Sequence, residues 1–122
     1  MAALRWMIDV DGTISADPDA VGEVMRALKS GGCYVAIVTG SNPDSPSGPT
    51  WQSKVEYLKS VGVTDCWDDL VVVSGDIPAQ KAAWCQQNKI DAAIDNNVLN
   101  AKAILKAGVP LVLVPWATRE KK

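Results

Sequence analysis

Five short apolar, β-branched segments alternate with four segments of helical spacing along this chain, and that alternation restricts its fold more than any other feature. The apolar segments lie at about 4–10, 33–38, 70–74, 91–94 and 109–114. A helix between two strands leaves too much chain for a hairpin, so each connection crosses over to a parallel neighbour. The expected fold is therefore α/β, a three-layer arrangement with a five-stranded parallel sheet and helices on both faces. At 122 residues the chain is expected to form one domain, 1–122, with a single core.

The helical segments carry their own punctuation. Asp17-Pro18 reads as an N-cap and first helical residue for 19–30, with Val21, Val24, Met25 and Leu28 as one apolar stripe and Gly31-Gly32 as the stop. Thr50 caps 51–61, which turns Val55, Leu58 and Val61 inward; Pro78 opens 78–88; 98–107 ends at Gly108. Only Ser41–Pro49 has the Pro, Gly and Ser content of an irregular loop, and its polar residues Ser41, Asn42 and Asp44 read as ordinary loop polarity. Right-handed crossovers bring all strand carboxyl ends to one edge, where open α/β sheets bind ligands.

Polar residues gather at three of those strand ends. The first strand runs through Met7 and Ile8 into Asp9-Val10-Asp11-Gly12-Thr13. Residues two apart on a strand share a face, so Asp9 and Asp11 are expected to point into one small volume. Crowded carboxylates repel unless a cation or a shared proton relieves them. Thr39-Gly40-Ser41 follows the second strand and Asp95-Asn96-Asn97 the fourth. The chain has no histidine, so acid–base and metal chemistry falls to carboxylates, Lys, Tyr and Cys. Asp9 suits a nucleophile toward a phosphate monoester, and Asp11 an acid/base, a role typically worth about 10²–10⁴ in rate. Mg²⁺ takes octahedral oxygen ligands, which Asp9, Asp11 (in part through a backbone carbonyl) and Asp95 can supply. Thr39 and the N–H groups around Gly40 can hold phosphate oxygens, and Lys81 can offset the gathered negative charge.

These residues resemble the haloacid dehalogenase (HAD) superfamily of phosphohydrolases across nearly the whole chain and in the right order. Asp9-Val10-Asp11-Gly12-Thr13 matches the family's D-x-D-G-T motif in full. Val35-Ala36-Ile37-Val38-Thr39 is similar to the second motif, Lys81 to the third, and Ile94-Asp95-Asn96-Asn97 to the fourth; Lys89 lies too close to the strand to rival Lys81. Many relatives carry Asp-Asp where this chain has Asp95-Asn96, a difference read here as tuning of Mg²⁺ affinity by Asn96. The resemblance implies a Rossmann-like core, catalysis by Asp9 and Asp11, phosphate binding by Thr39, Gly40 and Lys81, and Mg²⁺ held by Asp9, Asp11 and Asp95. An Asp at the Asp11 position goes with phosphatases and phosphotransferases rather than dehalogenases or ion pumps.

Only about twenty residues separate the Asp11 turn from the second strand, which leaves no room for a cap domain there. Capless relatives act on phosphate presented by something bulky. The expected function is a Mg²⁺-dependent phosphohydrolase that cleaves phosphate monoesters through an aspartyl-phosphate. The alternatives are a nucleic-acid 3′-phosphatase of the polynucleotide kinase/phosphatase type and an inactive HAD-like binding module. A net charge of −2 makes nucleic acid a less favoured partner. A response-regulator receiver fits poorly, because its phosphorylated Asp follows the third strand, where Val71-Val72-Val73 leads here into Ser74-Gly75. Cys33, Cys66 and Cys85 match no zinc spacing, and a reduced cytoplasmic protein without a membrane segment is expected. Among the tryptophans, Trp6, Trp67, Trp84 and Trp116 read as packing residues, and Trp51 as the candidate for substrate stacking.

Overall fold

The computed structural model describes residues 3–41 and 50–115; the rest of the Ser41–Pro49 loop and Trp116 lie outside the described residues. Five strands, β1 (Arg5–Ile8), β2 (Tyr34–Gly40), β3 (Asp69–Val73), β4 (Ala92–Ile94) and β5 (Leu111–Leu113), form one sheet in the order β3-β2-β1-β4-β5. All four pairings are parallel, with Ile8 level with Ile37 on one side and Ile94 on the other. Helices α1 (Pro18–Ser30), α2 (Trp51–Ser60), α3 (Ile77–Gln87) and α4 (Val98–Lys106) make the crossovers.

Strand alternation sorts the core into two clusters, one on each face of the sheet. Ile8, Val35, Ile37 and Ile94 pack with Val21 and Met25 of α1 and Leu58 of α2. Met7, Val38 and Ala93 point the other way, to Cys85 of α3 and Ile104 of α4. The result is the expected three-layer Rossmann-like fold, with β1 central. The chain reverses its direction of growth between β1 and β4, so their carboxyl ends flank the crevice where ligands of such sheets sit.

The caps explain why the helices start where they do. Asp17 accepts from the Ala20 N–H (3.1 Å), Asp76 from Ala79 (3.3 Å) and Asn97 from Asn100 (3.0 Å). Thr50 accepts from the Ser53 N–H at 3.2 Å while the Thr50 N–H donates to Ser53 Oγ at 2.8 Å, a reciprocal pair that fixes the first turn of α2. Two expectations fail locally. Val24 is 46% exposed, because the buried stripe of α1 runs through Gly22 and Val21 instead. β1 stops at Ile8 rather than Val10, because the backbone coils immediately after Asp9.

Replacing Thr50 by Ala removes one half of the reciprocal cap and is expected to lower stability by about 1 kcal/mol in urea unfolding. A loss below a few tenths of that would show that the cap does not hold α2.

Candidate active site

The coil after β1 decides the geometry of the site. Ser15 N–H closes a wide turn onto the Val10 carbonyl at 3.0 Å, and Gly12 sits inside it at φ +81°. A side chain at position 12 would also crowd the Asn96 carboxamide, so the turn favours glycine on both counts. Period-two alternation therefore does not extend past Asp9, and Asp9 and Asp11 part company. Both border one open cleft, of about 230 Å³, but their surroundings differ. The Asp9 side chain is 5% exposed and that of Asp11 is 70% exposed.

Asp9 keeps the parity of Met7, and Asp95 that of Ala93, so both carboxylates face the layer that holds α3. Lys81 stands on the inward stripe of α3 with Ile77 and Cys85, four residues to either side, and places its ammonium between them. Nζ lies 2.6 Å from Asp9 Oδ1 and 2.8 Å from Asp95 Oδ2, and the Lys81 side chain is 1% exposed. Burial alone would disfavour the Lys81 charge, but the two carboxylates outweigh it and hold its pKa above the ordinary value. Two negative charges against one positive leave an excess, and it appears at Asp9. Burial, reinforced by Asp95, pushes the Asp9 carboxyl up to about 6 despite the opposing pull of Lys81. The Thr13 hydroxyl adds a 3.2 Å hydrogen bond to Asp9 Oδ2.

Asp95 is fully saturated. Besides Lys81, it accepts from the Asn97 N–H at 2.9 Å and from Asn100 Nδ2 at 3.2 Å. Asn96 instead faces the turn. With its amide nitrogen forward, the Asn96 carboxamide donates to Asp9 Oδ2 at 3.0 Å and to the Asp11 carbonyl at 2.7 Å. Turned over, it presents an oxygen to the same two oxygens, and three hard donors then surround one point. That set fits a magnesium ion. Among the described residues no group of three acidic or thiol side chains is arranged to hold a metal. The Asp11 carbonyl, through which Asp11 was expected in part to act, lies beside Asp9 and Asn96, while Asp95 is taken up by Lys81, Asn97 and Asn100.

At the end of β2, Gly40 and Ser41 line the cleft, whereas Thr39 is fully buried beneath it, its Oγ1 without a partner among the described residues. The Ser41 N–H already donates to the Val73 carbonyl at 2.8 Å. Trp51 is half-exposed, and its indole N–H donates to the Leu70 carbonyl at 2.9 Å. Four cleft or near-cleft residues were not anticipated from the sequence: Thr13, Lys54, Ile77 and Asn100. Lys54 pairs with Asp11, with Nζ at 3.1 and 3.2 Å from its two oxygens. Its signal was present, since Lys54 precedes Leu58 by four residues and so falls on the inward stripe of α2.

No family model matches this chain, and no curated protein matches it. Among solved structures it is similar to the D,D-heptose 1.7-bisphosphate phosphatase from B. bronchiseptica, complexed with magnesium and phosphate, with TM-score 0.61, 12% identity, and 90% of this chain and 79% of that one covered. It is also similar to a universal stress protein in complex with cAMP, with TM-score 0.55, 19% identity, and 93% and 96% covered. Identities this low establish the parallel α/β fold. Since that fold hosts many chemistries, function has to be argued from the site.

Removing Lys81 strands two buried carboxylates, and Lys81→Met is expected to cost about 3–5 kcal/mol near pH 7.5 in denaturant unfolding. An equal cost at pH 5, where Asp9 takes up its proton, would contradict the arrangement. The sign for Asp9 itself follows from its folded pKa of about 6 against an ordinary 3.8. The folded state binds more protons between these values, so ionising Asp9 lowers stability as pH rises through that window. The stability difference between Asp9→Asn and wild type is therefore expected to move in the variant's favour by about 2 kcal/mol from pH 4 to 7.5. A flat difference would place the Asp9 carboxyl at its ordinary pKa.

Proposed function

We propose that the protein is a phosphohydrolase of the HAD type, cleaving phosphate monoesters through an aspartyl-phosphate on Asp9 with Mg²⁺ as cofactor. The observation that carries this reading is the pairing of buried Asp9 with Lys81 at the floor of an open polar cleft. A carboxylate that is nearly buried, held at Oδ1 by one ammonium and facing an open polar cleft, is prepared for attack on phosphorus.

Asp9 Oδ2, the Asp11 carbonyl and Asn96 Oδ1 would hold the metal, which when bound would neutralise phosphate charge and align the phosphoryl group with Asp9. The chain's own groups do the rest. Lys81 orients Asp9 and offsets charge as the phosphoryl group transfers. Asp95 does not act on the substrate; it fixes Lys81 and, through Asn97 and Asn100, the start of α4. Asp11, exposed at the rim, delivers a proton to the leaving oxygen and later accepts one from the attacking water. The Thr39 hydroxyl and the Gly40–Ser41 segment form the phosphate-facing end of β2, although Thr39 must turn its buried hydroxyl outward to reach a ligand.

The likeness to a phosphatase holding magnesium and phosphate supports this reading at the level of the fold. The described residues contain no helix long and apolar enough to cross a membrane. An open cleft without a covering unit among the described residues suits a phosphate borne on a larger molecule. The net charge of −2 weighs against nucleic acid as that molecule. A second reading, a binding module without turnover, rests on the Asn96 amide, which in its nitrogen-forward orientation already occupies the point a cation would take.

Wild type is expected to hydrolyse an aryl phosphate only with Mg²⁺ present, and Asp9→Asn to abolish turnover while leaving the folded circular dichroism spectrum intact. Turnover retained in Asp9→Asn would sink the mechanism. Proton and cation compete for Asp9, so Mg²⁺ affinity read from tryptophan fluorescence is expected to be flat above about pH 7. Below pH 6 it should fall, approaching about tenfold per pH unit. Asn96→Ala is expected to weaken it by roughly tenfold or more, as loss of a ligand does; an unchanged affinity would remove Asn96 from the metal site.

A further inference from the structure

Lys54 is a cation that the reading above does not use. Its side chain is 9% exposed, yet its ammonium meets the carboxylate of a residue whose own side chain is 70% exposed. Burying a lysine is costly unless its charge is paired. A surface ion pair of ordinary kind has both partners in water and contributes little. Here the lysine is fixed from below by the capped first turn of α2, and the carboxylate stands at the rim of the cleft. Nζ sits 3.1 and 3.2 Å from the two Asp11 oxygens, so it restrains both the position and the rotation of the carboxylate.

Asp11 needs such a restraint. It lies in the coil after β1, at φ −71° and ψ 116°, next to a glycine of positive φ, with no strand neighbour to fix its side chain. A free carboxylate at that rim would sample several rotamers, and proton transfer falls off steeply with misplacement. We infer that Lys54 is a positioning residue for Asp11: it reaches across from α2 and aims the Asp11 carboxylate at the oxygen that leaves phosphorus and at the water that replaces it. This rests on the phosphohydrolase reading and adds to it the device that orders the acid/base group.

The two chemical steps separate that role from a structural one. In the first, an Asp9 oxygen bonds to phosphorus, the ester P–O bond breaks, and Asp11 gives its proton to the departing oxygen. In the second, Asp11 takes a proton from water, the water oxygen bonds to phosphorus, the acyl-phosphate P–O bond breaks, and Asp9 and inorganic phosphate are released. A good leaving group such as 2,4-dinitrophenolate needs no proton in the first step. With 2,4-dinitrophenyl phosphate, a misdirected Asp11 therefore slows only the second step.

The experiment is rapid-mixing kinetics of phenolate release by wild type, Lys54→Met, Lys54→Arg and Asp11→Asn, with Mg²⁺ saturating. Lys54→Met is expected to release a burst of about one equivalent at a rate within about threefold of wild type, then to turn over about ten- to a hundredfold more slowly, as Asp11→Asn does. The burst amplitude counts folded sites, and Lys54→Arg, which keeps the cation, should recover most of the turnover. Turnover within threefold of wild type, or above it, in Lys54→Met overturns the assignment, and so does a burst rate lowered as much as turnover. Absence of turnover in wild type itself would overturn the phosphohydrolase reading, and this inference with it.

Discussion

One ammonium group between two buried carboxylates organises this molecule. Lys81 Nζ at 2.6 Å from Asp9 and 2.8 Å from Asp95 joins the ends of β1 and β4 to α3, the three elements that meet at the topological break in the sheet. Without that cation two buried carboxylates would stand unpaired at the strand ends, and with it the trio still holds one negative charge in excess. That residue of imbalance is the useful part. Burial, reinforced by that imbalance, raises the Asp9 pKa toward neutrality, and the Asp11 carbonyl and Asn96 converge on Oδ2 of the same carboxylate.

The arrangement follows from strand parity. Met7 and Ala93 point to the α3–α4 layer, so Asp9 and Asp95, each two residues further along, would do the same if the strand geometry continued by one step. It does continue that far, since the Asp9 N–H still joins the ladder to the Ile94 carbonyl at 2.9 Å. Beyond Asp9 the glycine turn takes over and swings Asp11 toward the opposite layer, where α2 supplies Lys54. Each acidic residue of the D-x-D pair thus has a lysine from a different face of the sheet, one deep and one at the rim.

Much of this was legible in the sequence, for identifiable reasons. The helix starts were marked by Asp17-Pro18, Thr50 and Pro78, whose side chains act on their own neighbourhood, and the parallel sheet followed from the alternation of strands with helices. Asp9, Lys81 and Asp95 were singled out because their order and spacing resemble a known family, and the fold brings the three together. What escaped depended on distant contacts or on a broken period. The divergence of Asp11 from Asp9 is set by Gly12 at φ +81°, a conformation that a strand pattern does not reveal. The different partners of Asp95, which meets Lys81, and Asn96, which meets Asp9 and the Asp11 carbonyl, depend on which of two adjacent side chains faces the sheet's far layer. The pairing of Lys54 with Asp11 spans 43 residues, and only its placement on an inward helical stripe hinted at it.

The central claim is that Asp9 becomes covalently phosphorylated, and that is best tested by acid-quenching the protein after brief exposure to an aryl phosphate and Mg²⁺, then mapping it by mass spectrometry. Expected is one added phosphoryl group on the peptide spanning Asp9, removed by hydroxylamine as an acyl phosphate is, and absent from Asp9→Asn. Turnover with no phosphoryl group captured on Asp9, or a group captured elsewhere, would contradict the claim.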